Sequence, residues 1–170
     1  LLRNVAVVRV NQVWALDTTY IPMRQGFVYL TAIVDVASRR VMAHKVATTL
    51  EACHAKEILK QALARHGTPE IVNTDQGSQF TSDEYQKLFK AGALCEGVKI
   101  SMDGKGRAID NVFIERFWRT IKHDKIHLCP PEDGVDLCRI CSQFIHYYNH
   151  RRKHSRIGNV PPAVRLRMAA

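Results

Sequence analysis

Three acidic residues stand at positions where a carboxylate needs a partner or a cation. Asp17 lies in a stretch of strand-favouring residues (13–20), Asp75 follows a short predicted strand (70–73), and Glu115 lies in a segment with helical periodicity. Aspartate is disfavoured in strands, and a buried carboxylate must be paired or bound to a cation. Three converging carboxylates suit hard cations such as Mg²⁺ or Mn²⁺. Two such ions, roughly 3.5–4 Å apart, activate a water or hydroxyl and stabilise the leaving oxygen of a phosphodiester.

Two cations share a helix face with Glu115. Arg119 and Lys122 follow Glu115 by four and seven residues, which puts the three side chains on one side of a helix. Cations beside a metal-binding carboxylate would hold the phosphates of a nucleic acid. Spacing alone leaves a simpler interpretation open, in which Asp75 is an ordinary turn residue and Glu115 only pairs with Arg119.

The elements that must position these residues follow from hydrophobic periodicity and turn residues. Strand-favouring stretches separated by Gly26 and by a turn at 38–40 predict three strands with short connections, an antiparallel meander. Helical segments then alternate with two short apolar stretches. The predicted strands cover residues 13–20, 27–35, 41–46, 70–73 and 98–101, and the predicted helices cover 50–66, 82–91, 111–126 and 133–151. This order indicates an α/β domain whose mixed five-stranded sheet, three antiparallel strands plus two short parallel strands, is flanked by helices.

Composition and charge favour an anionic partner. Among 170 residues, 25 Lys and Arg outnumber 16 Asp and Glu, for a formal charge of +9. Residues 150–170 contain six of these cations and no acid. A nucleic acid is the favoured partner, and a solvated basic surface is the alternative. No apolar run reaches the ~18 residues of a membrane span. Five cysteines, an odd number, favour reduced thiols in a cytoplasmic protein over a disulfide framework.

The residues around the three acids are more specific than their spacing. The motifs are WALDTTYI at 14–21, TDQGSQFTS at 74–82, SMDGKG at 101–106, DN at 110–111, ERFWRTIK at 115–122, YNHRRKHS at 148–155 and PPA at 161–163. In this order, from about residue 11 to residue 164, they resemble the motifs of insertion-sequence DDE transposases. The resemblance is to the two-reading-frame group whose catalytic core resembles retroviral integrase.

This resemblance implies a fold and a set of metal ligands. The fold is ribonuclease H-like, and Asp17, Asp75 and Glu115 are the catalytic ligands of two Mg²⁺ (or Mn²⁺) ions. Lys122 matches the family's basic residue on the Glu115 helix and would contact DNA near the reactive phosphate. The 39 residues between Asp75 and Glu115 are more than is usual in this group, and we expect the extra length to extend a loop around 91–97.

The resemblance also implies partners and a division of the chain. The partner is double-stranded DNA, as element ends and as target, with a homo-oligomer assembled on it and no membrane involved. The residues expected to bind this DNA are Lys105, Asn111, Arg119, Lys122, Arg151 and Arg152. We expect a basic lead-in at 1–12 that lacks the upstream DNA-binding region, a catalytic core at 13–128, and a C-terminal helix and basic tail at 129–170, packed on or extending the core. The expected location is cytoplasmic, associated with the nucleoid when DNA is bound.

The favoured function is an enzyme that nicks DNA to a 3′-OH and joins it to a second phosphodiester by transesterification. Two alternatives stay open: a non-catalytic DNA-binding or assembly fragment of a decayed or repurposed transposase, and a ribonuclease H-type nuclease without strand joining. No nucleotide cofactor is expected, because Gly104 and Gly106 lack the Lys-Ser/Thr ending of a phosphate-binding loop.

Two other groups of residues have simpler structural interpretations. Cys138 and Cys141, with His146 and His150, resemble a zinc pattern, but thiols three apart inside a predicted helix are usually core residues. Trp118 is interpreted as a core or interface aromatic.

Overall fold

A five-stranded sheet forms the centre of the molecule, for which the computed structural model describes residues 5–102 and 111–168. The strands are β1 (Val13–Pro22), β2 (Phe27–Asp35), β3 (Val41–Ala47), β4 (Ile71–Thr74) and β5 (Lys99–Met102). They lie in the order β3-β2-β1-β4-β5. The first three pair antiparallel, whereas β4 runs parallel to both β1 and β5. The predicted mixed sheet is confirmed.

Helices cover both faces of this sheet. They are α1 (Ala52–His66), α2 (Ser78–Thr81), α3 (Asp83–Gln86), α4 (Val112–Ile121), α5 (Gly134–His150) and α6 (Pro162–Met168). Two 3₁₀ turns (Lys87–Phe89 and Ser155–Ile157) and a π-helical turn after α4 (Lys122–Ile126) complete the described elements. The predicted helix over 111–126 is therefore α4 and its π-helical continuation.

Alternation along β1 divides the core into two layers. Val13, Ala15 and Ile21 belong to the apolar cluster that includes α4 and α5, whereas Trp14 and Leu16 belong to the cluster that includes α1 and α3. Successive strand residues face opposite sides of a sheet, so the odd-numbered positions of β1 all face α4. A carboxylate at position 17 is thereby directed at α4 rather than at α1.

The prediction of a continuous helix over 82–91 is wrong, because a one-turn helix and a 3₁₀ turn take its place. Ser82 has an extended backbone with ψ 146°, and its Oγ accepts a hydrogen bond from the Tyr85 backbone N–H at 3.3 Å. This cap ends α2 and begins α3, because an extended residue interrupts the helical hydrogen bonds. Beyond α3 the chain tightens into a 3₁₀ turn, and Gly92 then adopts a positive φ of 73°.

The C-terminal segment packs against the strands. α5 contacts β3 and α6, and the buried residues of α5 join the α4 side of the core. The Asn149 side chain accepts a hydrogen bond from the Val41 backbone N–H and donates one to the Val41 carbonyl, both at 2.9 Å. The tail expected after residue 150 contains α6, whose Pro162 and Ala163 are buried. The proposed division of the chain at residue 128 stays a prediction.

None of the helices in the described part of the chain has both the length and the apolar character that a membrane crossing requires.

Candidate functional site

Asp17 lies in the middle of β1 with its carboxylate facing α4. The Trp118 indole N–H donates to Asp17 Oδ2 at 2.8 Å, and the Thr18 backbone N–H donates to Oδ1 at 2.7 Å. Burial, with smaller contributions from the negative charges of Asp75 and Glu115, raises the pKa of Asp17 to about 6 despite these two hydrogen bonds. The ionised form of Asp17 is thus destabilised in the folded chain, and a nearby cation would stabilise it.

Asp75 follows β4 on the strand next to Asp17. Ala15 of β1 is paired with Asn73 of β4, and the two acids each lie two residues further along these parallel strands. They therefore lie side by side just beyond the paired part of β1 and β4, on the α4 side of the sheet. The Gly77 backbone N–H donates to Asp75 Oδ1 at 2.9 Å, which orients this carboxylate.

The third carboxylate and a neighbouring ammonium come from α4 and its continuation. Glu115 lies in the first turn of α4 and is exposed. Lys122 Nζ donates to Thr19 Oγ1 at 2.7 Å and lies 5.2 Å from the centre of the Tyr20 ring. Burial lowers the pKa of Lys122, and the charge of Asp17 acts in the opposite direction. An ammonium group therefore lies on the same side of β1 as the carboxylates.

The three acids lie close enough for their charges to interact, but among the described residues their side chains do not form a complete metal-ligand set. Both Asp75 and Glu115 act on Asp17. Within residues 5–102 and 111–168, no group of three or more His, Cys, Asp or Glu side chains forms a ready metal site. Mutual repulsion opposes closer approach of three carboxylates. The donors nevertheless fit Mg²⁺ or Mn²⁺, because all are hard oxygens and the half-buried Asp17 carries an unfavourable negative charge.

Comparison with known proteins identifies the family. A family model described as "Integrase core domain" matches residues 7–159. The chain belongs to this integrase core family. It is similar to the transposase for insertion sequence element IS904 of Lactococcus lactis, with 34% identity over 155 residues that span 89% of this chain and 60% of that protein. The InsF transposase for IS3A of Escherichia coli is 33% identical over 158 residues, 89% of this chain and 52% of that protein.

These relatives confirm the predicted resemblance to insertion-sequence transposases. The chain spans about half the length of the curated relatives it matches, between 52% and 60% in the two just described. Their complete activities and partners are therefore not transferred to this chain as facts.

Solved structures show the same fold for this integrase core. The catalytic core domain of HTLV-2 integrase, solved in complex with magnesium in a dimeric form, has a TM-score of 0.69 and 20% identity, and the match covers 92% of this chain and 95% of that one. A chain of the simian T-cell lymphotropic virus intasome has a TM-score of 0.74 and 18% identity, with 90% and 53% covered. The predicted ribonuclease H-like fold is confirmed.

The other residues predicted to bind DNA are dispersed over the integrase core. Lys105 lies outside the described residues. Asn111 is buried just before α4, whereas Arg119 on α4 and Arg151 after α5 are exposed. Arg152 Nη1 donates to Asp124 Oδ2 at 2.8 Å. DNA binding by these residues stays a prediction.

One contact of the site was missed by the sequence reasoning. Trp118 is buried, as expected of a core aromatic, but its indole N–H also holds Asp17. The available signal was its position three residues after Glu115, which puts the two side chains on the same side of α4.

The core position predicted for the two cysteines is confirmed for Cys141 and wrong for Cys138. Cys141 is buried in the core on the α4 side, Cys138 is exposed, and the described residues contain no metal-binding group of this kind.

Proposed function

We propose that this integrase core is the catalytic part of a DNA transposase, a divalent-metal-dependent polynucleotidyl transferase. One observation carries the proposal: the parallel register of β1 and β4 brings Asp75 beside the half-buried Asp17, and the charge of Glu115 on α4 also acts on Asp17. A carboxylate that is largely removed from water and lies near like charges is unfavourable for folding alone. Its presence is explained by a cation that binds when the protein works.

The proposed reaction has two steps at phosphorus. Water attacks a phosphodiester, the bond from phosphorus to the 3′-oxygen breaks, and the 3′-oxygen leaves as a hydroxyl. That hydroxyl then attacks a second phosphodiester, forming one P–O bond as another breaks. The number of phosphodiester bonds is conserved in the second step, so no nucleotide cofactor is needed. Bound Mg²⁺ or Mn²⁺ would supply charge stabilisation for the attacking and leaving oxygens.

The residues of the chain would orient the ions and the DNA. Asp17, Asp75 and Glu115 would hold two metal ions through their carboxylate oxygens. Trp118 keeps the Asp17 carboxylate in place through its indole N–H. Lys122, held by Thr19, would contact a phosphate next to the reacting one. This division of roles is typical of phosphoryl transfer, in which proteins act mainly by positioning and charge stabilisation.

The proposed substrate is double-stranded DNA, and the proposed working form is a homo-oligomer assembled on it. The fold neighbours include an HTLV-2 integrase core in dimeric and trimeric forms and a simian viral intasome. The charge of +9 on this chain supports a polyanionic partner. Binding that is carried by phosphate contacts weakens steeply with salt.

The test is an assay of nicking and joining on labelled duplex DNA in Mn²⁺, with EDTA as the blank. We expect metal-dependent nicks that leave a 3′-OH, followed by longer labelled products from joining. Nicks without joined products would favour the ribonuclease H-type alternative. A folded chain that binds DNA and metal but forms neither product would support the non-catalytic alternative.

Gly77 is expected to be a positioning residue for Asp75. A Cβ at position 77 would lie 2.9 Å from Asp75 Oδ1 and 2.7 Å from the side-chain amide of Gln79. Gly77→Ala therefore displaces the carboxylate, and we expect about 10- to 100-fold weaker Mn²⁺ binding, measured by calorimetry, as for the loss of an orienting contact behind a metal ligand.

The matched control is Gly134→Ala, where an added Cβ meets open space. Thermal unfolding should be similar for both variants, because neither glycine has a positive φ. Equal Mn²⁺ affinities for the two variants would contradict a positioning role for Gly77.

A further inference from the structure

A basic cleft lies between α4 and the chain that follows α5. Its volume is about 330 Å³. Phe113, Tyr148 and His154 form part of its wall. Most of the remaining lining side chains are cations: Arg39, Arg116, Arg119, Arg152, Lys153 and Arg156. We call this site the arginine cleft.

The charges in the arginine cleft repel one another. Burial lowers the pKa of Arg39, and the positive charges of Arg116 and Arg156 lower it further, against opposing effects of Tyr148 and Asp35. The pKa of His154 is likewise lowered by burial and then by the charges of Arg152 and Arg39. Among the described residues, the ion pair of this cleft is that of Arg152 with Asp124. Like charges gathered in this way destabilise the unliganded protein.

Two buried nitrogen atoms at the cleft lack hydrogen-bond partners. In the described part of the chain, neither Arg39 Nη1 nor His154 Nε2 has a partner, although both atoms are buried. A buried polar group left unpaired is costly, and native proteins satisfy most of them. The Arg39 guanidinium is also held over the Phe113 ring, with its Cζ 3.7 Å from the ring centre. Arg39 is thus a cation at the cleft wall whose hydrogen-bond donors are not all used within the described part of the protein.

We propose that the arginine cleft binds phosphodiester groups of duplex DNA beyond those that react. Guanidinium groups match phosphate oxygens in geometry, and several on one wall suit a repeating backbone rather than a single small anion. Arg119 connects this cleft to the catalytic site, because it lines the cleft and lies one turn after Glu115 on α4. The inference rests on the proposed function and adds a second contact region for the same DNA.

The three arginines that carry this inference were not among the residues expected to bind DNA. Arg39, Arg116 and Arg156 come from the β2–β3 turn, from α4 and from the 3₁₀ turn after α5. Only the fold brings them to one cleft, and each is distinct from the residues expected to hold metal.

The test is a double charge reversal, Arg116→Glu with Arg156→Glu. Both residues are exposed, so the fold should tolerate the change. The control is Lys60→Glu with Arg65→Glu, an equal change of charge at exposed positions on α1, which covers the opposite side of the sheet. Fluorescence anisotropy with a labelled duplex, between about 50 and 200 mM KCl, gives the affinity and its salt dependence.

We expect the cleft variant to bind DNA about 10- to 100-fold more weakly than wild type near 100 mM salt, with a shallower salt dependence by about two phosphate contacts. The DNA affinity of the control should stay within about threefold of the wild-type affinity. Because both variants change the net charge equally, the control measures the nonspecific part of the effect. Equal affinities for the cleft variant and the control would overturn the inference. So would a cleft variant that changes self-association in sedimentation but leaves DNA affinity intact, because the cleft would then bind another copy of the chain.

A separate measurement distinguishes failure of the cleft from failure of the proposed function. The cleft variant should retain wild-type Mn²⁺ affinity, because its substituted residues are not carboxylates of the site. Conversely, Glu115→Gln should keep DNA affinity at the cleft while losing cleavage. If nicking is absent in wild type but DNA binding depends on the cleft, the cleft inference stands and the proposed function does not.

Discussion

Replacing Asp75 by Asn is expected to lower metal-dependent DNA cleavage by about 10³-fold or more, with the fold unchanged. The proposed metals stabilise charge on the attacking and leaving oxygens, and losing several kcal/mol of this stabilisation corresponds to a rate loss of that size. The fold should persist because Asp75 lies after β4 rather than in the core, and an Asn oxygen can still accept from the Gly77 backbone N–H.

The measurement is the rate of nicking of labelled duplex DNA in Mn²⁺, with thermal unfolding and DNA affinity recorded in parallel. Asp83→Asn is the matched control, because Asp83 is an exposed acid in the first turn of α3, away from the proposed site. The control should cleave as wild type does. An Asp75→Asn variant that nicks DNA at the wild-type rate would remove Asp75 from the chemistry.

Replacing Asp17 by Asn is expected to abolish cleavage and also to stabilise the metal-free protein. A pKa raised from 3.8 to about 6 means that the ionised carboxylate opposes folding by about 3 kcal/mol at neutral pH. Asparagine removes this charge and keeps an acceptor for the Trp118 indole N–H. The contact to the Thr18 backbone N–H is weakened, which lowers the free energy of unfolding by about 1 kcal/mol. The net gain of about 2 kcal/mol should raise Tm by roughly 4–8 °C.

The difference in stability between wild type and Asp17→Asn should depend on pH and on bound metal. In EDTA, the folded wild type binds a proton at Asp17 more readily than the unfolded chain does, so its stability falls as pH rises from about 4 through about 6. The advantage of Asp17→Asn should therefore be full near pH 8 and small near pH 4. Mn²⁺ should raise the Tm of wild type but not that of the variant.

Asp136, a surface acid, provides a control in which replacement by Asn is not expected to stabilise the protein. The Glu132 backbone N–H and the Arg139 side chain bind its carboxylate and lower its pKa. Asp136→Asn should lower Tm slightly or leave it unchanged. An Asp17→Asn variant that is less stable than wild type in EDTA at pH 8 would contradict the account of Asp17 as a carboxylate held at a cost to stability.

Local sequence patterns predicted the strands well, because their signals are local. β2 covers residues 27–35 as predicted, since Gly26 and a turn at 38–40 limit it on both sides. The stretch after Asp75 was predicted poorly. Ser82 could be recognised as a cap, but whether an interrupted helix follows depends on how Tyr85 and Leu88 fill the α1 side of the core. Periodicity does not contain that tertiary information.

The candidate site was likewise predicted only in part from the sequence. The nature of the three acids and their motifs came from the sequence, whereas the fold gives their convergence through the parallel register of β1 and β4. The Trp118 contact to Asp17 joins residues 101 positions apart. The arginine cleft depends on three distant turns and helices, and no spacing rule relates Arg39 to Arg156. The sequence therefore identified the acidic side chains, and the structure shows which residues surround them.

Calorimetric titration of Mn²⁺ into wild type and into Asp75→Asn tests the central claim most directly, because metal binding by the carboxylates requires neither DNA ends nor an assembled oligomer. The account predicts saturable binding to wild type and to the Asp83→Asn control, and its loss in Asp75→Asn with an unchanged fold. Equal Mn²⁺ binding by wild type and Asp75→Asn would contradict the claim that Asp17, Asp75 and Glu115 form one metal site.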